Sequence, residues 1–232
     1  MPALRVVGPG RAGTALARAV ASLPGWRVEA PLRRGDDVTH AAEGVELLVL
    51  ATPDGGVADV AAAVAPVDTT VVAHLAGSLG LDALAPHARR ASIHPLRAIT
   101  EVGADLRGAW FAVAGDPLAG EVVDALEGHR VAVDDEHRAA YHAAACIASN
   151  HLVALLGQVE RVAGSAGVPL EAYLDLVRQT VDNVAALGPA AALTGPVRRG
   201  DTATVERHLA ALDASERPAY EAMAAAAQVL VP

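Results

Sequence analysis

The chain has 232 residues, a net charge of -9, and 53% hydrophobic but only 3% aromatic residues. That length allows one large domain or two small ones, with a core of Ala, Val and Leu that needs no covalent staple. The acidic balance, spread along the chain, argues against nucleic acid or an anionic membrane as partner.

A short apolar run, Leu4 to Val7, leads into Gly8, Gly10 and Gly13, which stand in a G-x-G-x-x-G pattern before an Ala/Leu-rich helical segment. Strand, glycine turn and helix in that order form a dinucleotide site. The first glycine permits the turn, the second admits a pyrophosphate, and the third lets helix pack on strand. Gly8, Pro9, Gly10, Arg11, Ala12 and Gly13 are therefore candidate cofactor residues, with free helix N–H groups facing the negative charge. Trp26 to Leu32 reads as a second strand and runs into Arg33 and Arg34. An acidic residue near this point suits the ribose of NAD, whereas arginine suits a 2′-phosphate. Two guanidiniums can grip that phosphate, so the expected cofactor is NADP(H). The competing reading is a solvated surface arginine pair.

Val45 to Ala51 is nearly all apolar, as in a strand buried on both faces of a parallel sheet. It ends at Thr52 and Pro53, and helical spacing resumes from Val57 to Val64. Further strands are expected at Thr69–His74, Ala91–Pro95, Trp110–Ala114 and Val131–Val133, with a helix near Leu118–Leu126. This alternation predicts an α/β fold, a Rossmann-like doubly wound parallel sheet over residues 1–135. Beyond it, residues 136–232 are expected to form an all-α domain for substrate binding or dimerisation. Glu136–Ala163 reads as one long helix, apolar nearly all round between Ala143 and Leu156 and so buried on several sides, by its own domain or a second subunit. Pro169 opens a helix to about Leu187, Asp201 caps the next, and Ser215 is expected to cap the last.

No apolar stretch reaches the ~20 residues of a bilayer span, and glycine, proline and arginine interrupt any leader-like start. The single cysteine, Cys146, excludes an intrachain disulfide framework and suits a reducing cytoplasm. All 18 basic residues are arginine. Catalysis by a lysine acid or Schiff base is thereby excluded, and proton transfer falls to His, Tyr, Asp, Glu, Cys or water. The histidines lack the H-x-x-x-H or Cys pairing of a metal site, so no metal is expected.

Several separated segments carry a more specific likeness: Leu50-Ala-Thr-Pro-Asp54, His74-Leu-Ala-Gly77, Ser92-Ile-His-Pro-Leu96, Tyr141-His-Ala-Ala-Ala145 with Ala148-Ser-Asn150, and Leu193-Thr-Gly-Pro196 running into Arg199-Gly-Asp201. With them the chain resembles proteins that join a Rossmann-like domain to the domain of unknown function numbered 2520. These lie in the 6-phosphogluconate dehydrogenase-like superfamily, with pyrroline-5-carboxylate reductases and prephenate dehydrogenases. The resemblance implies hydride transfer to or from a small C=O or C=N substrate, and a homodimer built through the helical domain. His94-Pro95 matches a segment whose histidine contacts the reacting hydroxyl in prephenate dehydrogenases. That makes His94 the first candidate for proton transfer, with an imidazole near its unperturbed pKa. The superfamily's Lys-x-x-x-Asn is broken here, because Cys146 stands four residues before Asn150.

His142, Cys146 and Asn150 fall i, i+4, i+8 on one helix stripe, expected to face the nicotinamide. Asn150 is then a candidate to orient the reacting group and His142 a second proton donor. Ala51, Thr52, Pro53, Ala76 and Gly77 are candidate cofactor contacts at strand ends. His74 is read as catalytic or conformational, and Arg97 as a surface residue or carboxylate binder. Two other readings stand beside the oxidoreductase: a non-catalytic NADP(H)-binding sensor or partner-binding protein, and a methyltransferase, whose usual acid after the second strand is replaced by arginines.

Overall fold

The computed structural model describes residues 1–101 and 104–231. Its sheet has seven strands: β1 (Ala3–Val7), β2 (Arg27–Val28), β3 (Leu47–Leu50), β4 (Val71–His74), β5 (Arg90–Pro95), β6 (Trp110–Gly115) and β7 (His129–Ala132). Their spatial order is β2-β1-β3-β4-β5-β6-β7. The first five run parallel, and β3 and β4 are buried at every position, as their unbroken apolar runs require. The helices α1 (Arg11–Ala21), α2 (Val57–Ala63) and α3 (Leu118–Ala125) complete this part. One apolar cluster joins α1 and α3 to the sheet, and a second joins α2 to it. Covering a parallel sheet on both faces is the Rossmann-like arrangement expected.

Two details depart from the expected sheet. The second strand is cut to Arg27–Val28, with Leu32 returning as an isolated bridge to Val7. Pro31 has no N–H to give the ladder, which a short edge strand tolerates. The other departure is that β6 pairs antiparallel with β5, at His94 opposite Ala112, and β7 follows β6 in parallel. Among the described residues no helix lies between β5 and β6, so the crossover that makes strands parallel is missing there. On this outer part Trp110 is 53% exposed, and its ring lies 4.9 Å from that of His129.

After β7 the described residues contain helices alone. These are α4 (Arg138–Cys146), a π turn at Ile147–His151, α5 (Leu152–Ser165), α6 (Glu171–Leu187), α7 (Pro189–Ala192), α8 (Gly195–Arg199), α9 (Thr202–Ala211) and α10 (Arg217–Gln228). Asp201 caps α9 by accepting the Thr204 N–H at 3.0 Å. Ser215 does not cap α10; Glu216 holds that place, and Ser215 instead donates to Asp213. The chain divides into two compact units, Met1–Ser149 and Asn150–Pro232. In the first, α4 joins the sheet through the hydrogen bond between Tyr141 and His94.

The long helix is where composition misleads most. It runs without interruption over Asp135–Ser165 and contains an 18-residue window of mean hydropathy 1.3, long and apolar enough to cross a bilayer. From the sequence alone no such stretch is expected. Nor is its apolar middle buried within the chain: Ile147 is 59% exposed and Val153 70%.

Candidate functional site

The glycine turn sits where the strand order reverses, between β1 and β3, the place where open α/β sheets bind ligands. Gly8 has φ +89°, and a methyl group on it would stand 2.9 Å from the Ala51 carbonyl oxygen. On Gly13 a methyl would stand 2.6 Å from the Gly8 oxygen and 2.8 Å from the Ala51 Cβ. These two glycines therefore hold α1, β1 and the end of β3 together. Gly10 differs: a methyl there would meet nothing within 4 Å. It precedes α1, whose start has no side-chain cap and no acid in its first turn. Exposed backbone at an uncapped helix start fits a phosphate group.

Pro9, Arg11 and Ala12 share this turn, and Ala51 and Thr52 meet it from the end of β3, with Pro53 next in the chain. The Thr52 hydroxyl oxygen is buried without a hydrogen bond. Arg33 and Arg34 lie on an exposed turn held by the Arg33 N–H donating to Asp36 at 2.7 Å. Among the described residues neither guanidinium is in an ion pair.

A second cluster forms at the carboxyl ends of β4 and β5. His94 Nδ1 and the Tyr141 hydroxyl share a 2.8 Å hydrogen bond. The His142 ring stands edge-on to His94, with centroids 5.8 Å apart. Both imidazoles close over Gly77, where a methyl would come within 2.5 Å of His142 Cδ2 and 2.9 Å of His94 Nε2. Gly77 and Ala76 are themselves buried. His74 is fully buried too, with Nε2 3.3 Å from the Gly80 carbonyl oxygen and Nδ1 without a partner. A carbonyl only accepts, so Nε2 carries the proton and Nδ1 keeps a free lone pair. Nearby, the Ser78 hydroxyl donates to Asp54 at 3.0 Å.

Burial, then His142 and Arg138, push the His94 pKa down to about 4. This imidazole is therefore neutral at physiological pH, and not poised near 6.5 as the sequence alone predicts. Burial also lowers His74, with the Arg138 charge adding to it, and raises the Tyr141 phenol. The pair thus consists of a neutral imidazole and a protonated phenol, which can hand a single proton along the hydrogen bond.

Asn150 lies in the second unit, exposed, within the π turn. The Ser149 hydroxyl donates to the Ala145 oxygen in the same region. A π turn carries about one extra residue, which breaks the regular stripe assumed for His142, Cys146 and Asn150. Such turns are frequent at functional sites. Arg97 is exposed. Asp134, Glu136 and His137 bring potential ligand atoms within 4.8 Å of one another, but all three are exposed. Sequence reasoning gave no role to two residues of the histidine cluster, Tyr141 and Arg138. Tyr141 lies in the Tyr141–Ala145 segment, but its hydrogen-bond partner is 47 residues away in the chain.

Comparison with known proteins bears on the fold. A candidate NADP oxidoreductase from Bacteroides fragilis superposes with a TM-score of 0.77 at 18% identity, over 98% of both chains. A Thermotoga maritima protein gives 0.75 at 23% identity, over 98% of this chain and 97% of that one. A reductive aminase from Aspergillus terreus, in complex with NADPH and ethyl levulinate, gives 0.73 at 17% identity, over 98% and 93%. No curated protein matches the sequence. The Rossmann-like domain family matches residues 27–99, and the domain of unknown function DUF2520 matches residues 111–227. The second match spans half of the chain, and with the Rossmann-like sheet before it the protein belongs to the DUF2520 family.

Proposed function

We propose that the protein is an NADP(H)-dependent oxidoreductase that moves a hydride to or from a small C=O or C=N carbon. The observation carrying this reading is the His94–Tyr141 hydrogen bond, standing at the carboxyl end of a strand in the same sheet as the glycine turn. The fold shared with the NADPH-bound reductive aminase adds support. Gly8, Gly10 and Gly13 would cradle the pyrophosphate, and Arg33 with Arg34 the 2′-phosphate. The cofactor, when bound, supplies or accepts the hydride. The accompanying proton then moves between the substrate and the Tyr141–His94 pair, where either group can replenish the other. His142 is a second candidate donor beside it. Asn150, the candidate that the sequence offers for polarising a carbonyl or imine, begins the second unit, and the reading does not depend on it.

Cofactor binding tests this reading. Arg33→Ala with Arg34→Ala should weaken NADPH binding by about 10- to 100-fold, the worth of one or two charge-assisted hydrogen bonds. NADH binding should change less than about threefold. Equal losses for both cofactors would remove the 2′-phosphate site. The wild-type protein should also oxidise NADPH when offered a panel of ketones and imines. Tight NADPH binding with no turnover on any of them would instead favour a non-catalytic NADP(H)-binding protein.

We also propose a homodimer assembled through the helices. Within the helical unit Val153, Leu155, Leu176, Val181 and Leu187 are all at least 40% exposed, apolar side chains that a second copy can cover. Light scattering should give twice the chain mass, and Val153→Glu with Leu155→Glu should return the monomer. A wild-type monomer at micromolar concentration overturns the dimer.

A further inference from the structure

Arg138 begins α4 and is fully buried, yet its Nε, Nη1 and Nη2 atoms have no hydrogen-bond partner. Its ionic contact is Asp135, 3.4 Å from Nε, and that carboxylate already accepts the Leu81 N–H at 3.0 Å. A guanidinium never loses its charge in a protein, and it presents five donors in a planar fork matched to a carboxylate. Burying it with so little compensation is unfavourable, and an apolar side chain in such a place is often neutral or stabilising.

The position of this charge points to its use. Arg138, Tyr141 and His142 fall at i, i+3 and i+4, which puts them on one side of α4. Tyr141 holds His94 on β5, and the Arg138 charge is felt at His74, His94 and Tyr141. His74, beside them, adds a buried nitrogen with no partner. Arginine and tyrosine one helical turn apart can hold a charged group and a reacting group of one small molecule. Asp135, the ionic neighbour of this guanidinium, is itself 47% exposed.

We propose that Arg138 is an anion-binding residue whose guanidinium anchors a carboxylate of the substrate beside the His94–Tyr141 pair. The word substrate rests on the oxidoreductase reading; anion binding by Arg138 does not.

The test uses acetate as probe and acetamide as its neutral counterpart, followed through the histidine ring proton resonances of the full-length protein with and without NADPH. Acetate should bind at least tenfold more tightly than acetamide and shift the His74 and His94 signals. Arg138→Met should abolish that preference and yet melt at or above the wild-type temperature. Arg138→Lys should keep part of it. Asp135→Asn, which retains an acceptor for Leu81 but removes the internal competitor, should bind acetate more tightly. Equal binding of acetate and acetamide by the wild type overturns the proposal. So does an Arg138→Met protein that still prefers acetate, or one that melts lower while Asp135→Asn gains no affinity. NADPH titrations run alongside keep the two readings apart: loss of NADPH binding with acetate preference intact would sink the oxidoreductase and leave the anion site standing.

Discussion

Tyr141→Phe and His94→Gln should each lower substrate-dependent NADPH oxidation by about 10²- to 10⁴-fold, the usual worth of a positioned proton donor. NADPH affinity should stay within about twofold, because neither residue belongs to the glycine turn. The two losses should not multiply in the double variant, since both remove the same relay through a single 2.8 Å hydrogen bond. The pH profile offers an independent reading. Burial and neighbouring positive charge hold His94 down to about 4, so its neutral form dominates at every pH above that value. A rate that needs neutral His94 should therefore pass flat through pH 6.5 and fall only as the pH drops towards 4. An inflection near 6.5 that vanishes in His94→Gln would contradict this environment. Full turnover in Tyr141→Phe would remove the phenol from the chemistry.

Gly13→Val should be still more damaging, because it acts on cofactor and fold together. Even a methyl group at this position lies 2.6 Å from a backbone oxygen and 3.0 Å from Val6 Cγ1, and a β-branched side chain has no rotamer that avoids both. The helix must shift away from β1, and overpacking of this kind costs about 1–3 kcal/mol. A shift of the helix start also misplaces the amides that meet the pyrophosphate. We expect NADPH binding below detection and a lower melting temperature. Gly10→Ala is the control, since its Cβ meets open space: it should melt like the wild type and lose affinity only where a ligand approaches. A Gly13→Val protein that binds NADPH normally would mean the turn is not a cofactor cradle.

What the sequence made legible follows from how local each interaction is. The roles of Gly8 and Gly13 could be read because a six-residue spacing carries them, and the contacts they permit lie between neighbouring elements. Leu47–Leu50 was equally plain, since a run buried on both faces has no polar residue to confuse it. The direction of β6 was hidden, because strand propensity says nothing of which way a strand pairs. β2 was overestimated through Pro31, whose cost to a ladder depends on its place in the sheet. The π turn left no trace, as the sequence on either side of it is apolar. Arg138 was invisible for a different reason. An arginine among Asp135, Glu136 and His137 reads as part of a solvated helix start, and only the fold turns it inward.

The place of Trp110 on the outer strands decides how unfolding can be watched. Both tryptophans, Trp26 and Trp110, belong to the unit Met1–Ser149, and the helical unit Asn150–Pro232 has none. Indole emission therefore reports the sheet alone, whereas helical ellipticity sums over both units. Trp110 is also 4.9 Å from His129, its register partner on β7, so its emission will respond to the separation of these two outer strands. A melting curve recorded by fluorescence alone would leave the helical unit dark.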